Sequence, residues 1–202
     1  MCGRFAQIYK DPIFKVSIPD NQICINFENN YNISPGKKAL VITKERSFFA
    51  TWNYDFTEIT NGHTNHIGFN IRSENILIKS IYKKMFQAKS CLVPINGYYE
   101  WCGKQPYYIH DKNKIIYLVG LYQETDNGFC FATLTKEPNL FFKKFHLRQP
   151  VFLDNYSMFF KNNNFENESI TKLDFHEVSD LVNSVNENSP LLIEKKETLF
   201  DW

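Results

Sequence analysis

Cys2 directly follows the initiator methionine of this chain. A small side chain at this position permits removal of Met1, which would leave a free α-amine beside a thiol. An α-amine has a reference pKa of about 7.7 to 8.0, far below the roughly 10.4 of lysine, so a useful fraction is neutral and nucleophilic near pH 7. Such an amine condenses with an aldehyde, and the adjacent thiol can close on the imine carbon to give a durable five-membered thiazolidine. Cys2 is therefore a candidate for covalent aldehyde capture.

Two other interpretations of Cys2 stay open. In an amino-terminal nucleophile hydrolase, the thiolate would attack an amide and the α-amine would act as the base. Free cysteine is also among the most buried residue types, so Cys2 could be a structural residue near the start of a strand. Its position directly after Met1 favours chemistry over packing.

The basic residues of the chain are unevenly divided between lysine and arginine. The net charge is only +1, from 23 Lys and Arg against 22 Asp and Glu. It gives no global field to attract a polyanion, so any nucleic-acid site must be local. The arginines are Arg4, Arg46, Arg72 and Arg148. Because lysine is used wherever charge alone suffices, these positions are candidates for sites that need a planar, bidentate donor.

The elements that position these residues are mostly strands. The hydrophobic pattern predicts strands at 3–9, 38–43, 47–52, 67–72, 91–101, 107–110, 115–123 and 129–135. It predicts one long helix over 73–89, with Ser73 as its N-cap, and shorter helices at 139–145, 157–161 and 178–185. Residues 111–114 are predicted to form a hairpin turn between two strands. This order predicts an α+β fold with a mainly antiparallel, barrel-like β core flanked by short helices.

Length and composition limit the class of protein. With 202 residues and 43% hydrophobic content, we expect a single domain over residues 1–202. No run approaches the roughly 18 apolar residues of a membrane span, and no secretory leader is evident. Five cysteines without a C-x-x-C pair predict neither a disulfide framework nor a zinc site. We therefore expect a cytoplasmic protein without a metal.

Five blocks of residues carry a resemblance to a known family. They are Met1–Phe5, Tyr31–Pro35, Asn70–Glu74, Cys91–Trp101 and His146–Pro150. In this order they resemble the successive signature blocks of the SOS response-associated peptidase (SRAP) family, and weaker matches between them extend the resemblance over nearly the whole chain.

The resemblance implies an SRAP-like domain that processes abasic sites. It implies a protein that binds single-stranded DNA and forms a thiazolidine crosslink between Cys2 and the abasic aldehyde; we expect this protein to be a monomer. The crosslink would protect the site during the DNA damage response. Lyase-type and autopeptidase chemistry would accompany it without any cofactor, Met1 would be removed by a peptidase or by the site itself, and the protein would join the nucleoid on damaged DNA. The alternatives are an amidohydrolase or autopeptidase that uses the same thiol, and a non-covalent single-strand binding module.

Two residues of these blocks are candidates for proton transfer. Glu100 follows apolar and aromatic residues at a predicted strand end, where desolvation would raise its pKa. His146 belongs to an H-x-R-x-P pattern and can titrate near working pH. The resemblance implies that Glu100 promotes attack by the amine and that His146 acts on the sugar oxygen. An exposed strand-end glutamate and a hydrogen-bonded turn histidine are the structural alternatives.

Asn70 and Arg72 lie two residues apart on a predicted strand, so they would face the same side. The resemblance implies that Asn70 orients the Cys2 terminus. Arg4, Arg72 and Arg148 lie in matching blocks and are predicted to clamp phosphates without reading bases. A helix-capping turn before Ser73 is the alternative for Asn70.

Trp52 and Pro35 are predicted to contact unstacked bases, since any base offers a π-face, with core packing as the alternative. The sequence departs from the family at Asn53-Tyr54, where a Trp-Gly-Leu type block is usual, and at Ile71 and Gln149. The stacking platform is the part of the site that these changes affect. His63 and His66 lack an evident cysteine or carboxylate partner, so loop histidines are predicted rather than a metal site.

Overall fold

Strands dominate the regular structure of the protein. The computed structural model describes residues 3–11, 13–14, 27–57, 67–153, 156–162, 165 and 173–197. The strands are β1 (Phe5–Gln7), β2 (Asn30–Ile33), β3 (Lys38–Ile42), β4 (Ser47–Thr51), β5 (Tyr54–Asp55), β6 (Ile67–Gly68), β7 (Asn70–Arg72), β8 (Ser90–Ile95), β9 (Gly97–Cys102), β10 (Gln105–His110), β11 (Ile116–Thr125), β12 (Gly128–Lys136), β13 (Gln149–Pro150), β14 (Phe152–Leu153) and β15 (Asp174–Glu177). The helices are α1 (Ser73–Ile78), α2 (Ser80–Lys89) and α3 (Tyr156–Asn162), with 3-10 helices at Asp180–Asn183 and Pro190–Ile193.

Five strands close into a barrel. The ring runs β12, β4, β3, β8 and β11, and β11 pairs with β12 again to complete it. The pairing of β12 with β4 is parallel, and the other pairings in the ring are antiparallel. β7 and β13 also pair with β12, and β14 pairs with β11. The predicted α+β fold with a mainly antiparallel, barrel-like core is confirmed.

A second sheet packs against this barrel. It has five antiparallel strands in the order β15, β10, β9, β1, β2. Barrel residues of one orientation, such as Leu40 and Leu92, share a core with Phe86 and Phe159 of the helices. Residues of the other orientation share a core with the second sheet. The period-2 alternation of side chains explains how one set of strands serves both cores.

Gln7 joins the two sheets. Its side chain is fully buried, and its Nε2 donates to the carbonyl oxygens of Leu40 and Pro94 at 3.0 and 2.8 Å. Its Oε1 accepts from the N–H of Leu40 and the hydroxyl of Tyr9 at 2.9 and 2.8 Å. Because every polar atom of this amide has a partner, its burial carries no desolvation penalty from an unmade bond. Gln7 thereby fixes β1, the strand nearest the amino terminus.

The strand predicted over 91–101 is two strands in different sheets. The break falls at Asn96, whose backbone N–H donates to Ala6 at 2.9 Å and whose side chain accepts from Ile8 at 2.7 Å. Gly97 follows, where a Cβ would lie 2.5 Å from Cζ of Tyr108. The close approach at Gly97 lets β9 leave the barrel for the second sheet.

The predicted hairpin turn at 111–114 is wrong. β10 pairs with β9 and β15, whereas β11 pairs with β8, β12 and β14. Residues 111–114 therefore connect the two sheets rather than two paired strands. A local turn signal does not encode this difference, because strand pairing is decided by contacts that are distant in sequence.

The predicted helix over 73–89 is interrupted at Lys79, which is extended at φ −97° and ψ 120°. Ile76 and Phe86 share one core, yet in a continuous helix ten residues would point them about 80° apart. The break turns both side chains inward. Ser73 is the first helical residue rather than the N-cap, which is Arg72.

The shorter helices and the remaining strands complete the comparison. The helix predicted at 157–161 is confirmed within α3, whereas residues 140–145 form turns in place of the helix predicted at 139–145, and 178–185 contains a 3-10 helix. The predicted strands did not include β2, β5, β13, β14 and β15. In the described ranges, no helix combines the length and apolar character needed to cross a membrane.

Candidate functional site

β1 and β9 bring the amino-terminal end of the chain alongside Glu100. Phe5 pairs with Tyr98, and the N–H of Tyr99 donates to the carbonyl oxygen of Arg4 at 2.9 Å. Extending this antiparallel register places Gly3 opposite Glu100. Cys2 itself lies outside the described residues. The first described residue of the chain therefore follows Cys2 immediately and lies beside the candidate proton-transfer group.

Glu100 is a buried carboxylic acid, with 5% of its surface exposed. It shares the face of β9 that carries Tyr98, and on the neighbouring strand it pairs with Tyr107. Burial raises the pKa of Glu100 above its ordinary value, because a desolvated carboxylate is disfavoured, and the electrostatic interaction with His146 partly opposes this shift. The alternative of an exposed strand-end glutamate is wrong.

His146 is held by its own turn. Its Nδ1 accepts a hydrogen bond of 2.9 Å from the backbone N–H of Arg148, and its backbone N–H donates to Phe142 at 3.2 Å. An accepting Nδ1 has no proton, so the neutral ring carries its proton on Nε2. His146 is therefore the hydrogen-bonded turn residue of the structural alternative, and it also lies close enough to act on the pKa of Glu100.

Arg148 forms a bidentate ion pair with Glu74. Its Nη1 and Nη2 donate to the two carboxylate oxygens at 2.7 and 2.8 Å, and Nη2 also donates to the carbonyl oxygen of Thr135 at 2.6 Å. These bonds hold the pKa of Glu74 below its ordinary value. The predicted phosphate contact of Arg148 therefore needs correction, because the fork is directed at a protein carboxylate. Glu74 was missed as its partner, although an acid in the first turn of a helix beside scarce arginines was a usable signal.

Asn70 and Arg72 occupy one side of β7. Ile71 between them is buried, while Asn70 is half-buried and Arg72 is exposed. Oδ1 of Asn70 accepts from the hydroxyl of Thr133 at 2.6 Å, which fixes the plane of the amide. Within the described residues, Arg72 makes no ion pair and no side-chain hydrogen bond. Of Arg4, Arg72 and Arg148, Arg72 is therefore the arginine whose guanidinium faces solvent.

The side chain of Arg4 lies on the opposite face of the second sheet from the side chains of Phe5 and Glu100. Its guanidinium donates to the carbonyl oxygens of Val182 and Asn183, the latter at 2.9 Å, and lies 5.7 Å from the centre of the Trp101 ring. Burial lowers the pKa of this guanidinium. Because side chains alternate along a strand, Arg4 lies on the face of the sheet opposite Glu100. Its predicted role as a phosphate clamp is therefore corrected: Arg4 anchors the 3-10 helix Asp180–Asn183.

Trp52 is a core residue, and its predicted contact with bases is wrong. The side chain is fully buried, its Nε1 donates to the carbonyl oxygen of Phe69 at 2.8 Å, and its ring centre lies 4.8 Å from that of Phe5. Pro35 remains exposed. It occupies the corner of a turn closed by Lys37 N–H donating to Ser34 at 3.0 Å, with Gly36 at φ +88°.

Two of the predicted catalytic residues, Glu100 and His146, lie close enough to interact electrostatically, whereas Asn70 lies on β7, which pairs with β12 of the adjoining barrel. A buried carboxyl group and an imidazole with its proton on Nε2 can exchange protons with an amine and with a carbonyl oxygen. No cluster of three metal-ligand residues occurs among the described ranges, and His63 and His66 lie outside them.

Comparison with known proteins gives a family and a fold. The family described as SOS response associated peptidase (SRAP) matches residues 1–185. The chain is similar to abasic site processing protein YoaM of Bacillus subtilis (strain 168), with 27% identity covering 96% of this chain and 98% of that protein. It is similar in fold to a crystal structure of a phage-related protein from Bordetella bronchiseptica, with a TM-score of 0.65, 23% identity and coverage of 88% and 94%. A crystal structure of a protein from Bacteroides thetaiotaomicron has a TM-score of 0.60 at 21% identity, with coverage of 93% and 92%.

Proposed function

Because this chain belongs to the SOS response associated peptidase (SRAP) family, we propose that it processes abasic sites in single-stranded DNA by capturing their aldehyde on Cys2. The observation that carries the proposal is the position of buried Glu100, with His146 near it, opposite the residue that follows Cys2. The names of its relatives as abasic site processing proteins support the choice of substrate.

The first step is condensation of an amine with an aldehyde. After removal of Met1, the α-amine of Cys2 attacks C1′ of the ring-opened deoxyribose to give a carbinolamine. The hydroxyl then leaves as water and an imine forms. The amine nitrogen loses two protons in these steps. Glu100 accepts each in turn and passes the first to the carbonyl oxygen as the carbinolamine forms and the second to the hydroxyl as it leaves, a task suited to a carboxyl group whose pKa is raised by burial.

The second step closes a ring. The thiol sulfur of Cys2 adds to the imine carbon, and its proton passes to the nitrogen, so the thiazolidine forms with net loss of one water from aldehyde and aminothiol. The ring removes the imine that would otherwise promote strand cleavage by β-elimination. The product is a covalent DNA–protein crosslink that protects the abasic site.

His146 and Asn70 serve the sugar and the chain terminus. With Nδ1 accepting from Arg148, the Nε2 proton of His146 is available to the sugar oxygen during ring opening. The amide of Asn70, fixed through Thr133, orients the Cys2 terminus. Hydrogen bonds from Arg148 and Thr133, which do not react, hold His146 and Asn70 in place and limit their reorganisation during the reaction.

DNA binding depends on contacts that do not read the sequence. Exposed Arg72 contacts a flanking phosphate, and exposed Pro35 packs against a base. We propose that the protein acts as a monomer in the cytoplasm, without a metal or organic cofactor, and joins the nucleoid on damaged DNA.

The test is a denaturing gel of the protein incubated with a single-stranded oligonucleotide that carries one abasic site. A shifted band that needs the abasic site and vanishes with Cys2→Ala is the expected result. An intact oligonucleotide is the DNA control. Absence of the band from protein shown by mass spectrometry to lack Met1 would overturn aldehyde capture and direct attention to amide substrates.

A further inference from the structure

The segment 139–149, which carries His146, has an apolar side that faces solvent. Phe142 and Phe145 point inward, with 3% and 8% of their surfaces exposed. Leu140 and Leu147 point outward, with 87% and 84% exposed. One exposed leucine is ordinary on a protein surface. Two exposed leucines on one short segment, beside a candidate catalytic histidine, indicate a surface that contacts a partner.

The segment is held rigidly at both ends. The backbone N–H of Asn139 donates to Oε1 of buried Gln149 at 2.7 Å, and Oδ1 of Asn139 accepts from Phe141 and Phe142 at 3.0 and 3.2 Å. At the other end, Arg148 is fixed by its bidentate pair with Glu74. The backbone at Leu147 is therefore held in place, and little backbone entropy is lost when the residue makes a contact.

We propose that Leu147 is a specificity-determining residue that packs against the face of a base next to the abasic site. The inference rests on the proposed function. The residue adjoins His146, whose Nε2 addresses the sugar, so a side chain directed outward from the next position meets the neighbouring nucleotide. Apolar side chains are used in this way against bases exposed by a gap in the stack. The contact makes DNA with flanking bases a better substrate than an aldehyde on a bare sugar-phosphate chain.

The charges beside Leu147 fit this partner. Lys143 and Lys144 are exposed on the same segment, and Lys144 lies 3.5 Å from the centre of the Phe175 ring, which keeps its ammonium on this side of the protein. A surface with an apolar tip and adjacent cations complements a chain of phosphates with an exposed base.

The experiment compares protein variants on two DNA substrates, so that the effect of substituting Leu147 can be measured with and without the flanking bases. Crosslinking rates are measured for wild-type protein, Leu147→Ser and Leu191→Ser on two single-stranded oligonucleotides with one abasic site. In one, both neighbours are adenines; in the other, both are tetrahydrofuran residues, which lack base and aldehyde but keep the phosphates. Leu191, with 55% exposure, lies on the 3-10 helix Pro190–Ile193 and is the matched control, because the adjacent Leu192 packs in one core with Tyr99, on the face of β9 opposite Glu100.

We expect the wild type and Leu191→Ser to react about tenfold faster with the base-flanked DNA, the scale of one contact with a base. Leu147→Ser should react with both DNAs at the slower wild-type rate. Equal slowing of Leu147→Ser on both DNAs, an unchanged preference for flanking bases, or the same loss in Leu191→Ser would overturn the inference alone. If the wild type crosslinks neither DNA, the proposed function fails and the inference fails with it.

Discussion

The backbone N–H of Arg148 donates to Nδ1 of His146 at 2.9 Å, and this bond assigns the proton of the neutral imidazole to Nε2. The side chain of the same Arg148 is fixed by both oxygens of Glu74. One residue thus sets both the tautomer of the histidine and the path of its turn. The positioning of His146 therefore depends on an acid that lies 74 residues before Arg148 in the chain.

His146→Asn should keep the hydrogen bond of the turn while removing the proton donor. Oδ1 of asparagine can take the place of Nδ1 and accept from Arg148, whereas the Nε2 donor is lost. We expect the crosslinking rate to fall by about 100-fold, the usual scale for loss of a general acid. The free energy of unfolding, measured with urea, should change by less than about 1 kcal/mol. His146→Leu, which also leaves the Arg148 N–H without its acceptor, should lose about 1–3 kcal/mol in addition. A crosslinking rate retained in His146→Asn would remove the histidine from the mechanism.

Glu100→Gln should make the protein more stable and less active. Burial raises the pKa of Glu100 above its ordinary value of 4.5, so the folded state favours the neutral acid. Its contribution to stability is present below that ordinary value and is lost as pH rises through the raised pKa. The advantage of the Glu100→Gln variant in urea unfolding should therefore appear above about pH 4.5 and grow toward neutral pH.

The same Glu100→Gln variant should crosslink about 100-fold more slowly near neutral pH, because an amide cannot exchange the proton. Glu177→Gln, on the neighbouring β15, is a control that keeps Glu100. A Glu100→Gln variant whose stability relative to wild type is lower at about pH 8 than at about pH 4 would contradict the proposed effect of burial.

Arg72→Gln and Arg4→Gln should affect different properties. Arg72 is exposed, so its substitution should change the free energy of unfolding by no more than about 0.5 kcal/mol. It should weaken binding to single-stranded DNA and reduce the salt slope of log K by about 1.

Arg4→Gln removes a donor from the carbonyl oxygens of Val182 and Asn183 and should cost about 1–3 kcal/mol. Its salt slope, measured by fluorescence anisotropy at several ionic strengths, should equal that of the wild type. The reverse pattern, with a reduced slope only in Arg4→Gln, would restore Arg4 as a phosphate ligand.

Trp52→Phe should act on stability rather than on DNA. The change leaves the carbonyl oxygen of Phe69 without its 2.8 Å donor and should cost about 1–3 kcal/mol in urea unfolding. At a temperature where both proteins are folded, the affinity for single-stranded DNA should remain within about twofold. Lower DNA affinity with unchanged stability would indicate a stacking role. Pro35→Ala, at an exposed position, should show the opposite pattern.

Part of this protein could be determined from the sequence alone. The order of the blocks predicted the family, and the strand periodicity predicted an α+β fold with a barrel-like core. The same periodicity placed Asn70 and Arg72 on one side of a strand, and the apolar run before Glu100 predicted its desolvation. These are local properties, since alternation and hydrophobic runs are set by residues a few positions apart.

What the tertiary structure decided is which of these side chains face a substrate. The fork of Arg4 is directed at Val182, 178 residues away, and that of Arg148 at Glu74, while Arg72 remains exposed. Trp52 is enclosed by rings from three distant segments, and the helix predicted over 73–89 breaks so that Ile76 and Phe86 reach one core. Each outcome depends on partners that are distant in sequence and meet only in the folded chain. The type of a residue shows which groups its side chain can bind, but only the folded chain determines which of these groups it contacts.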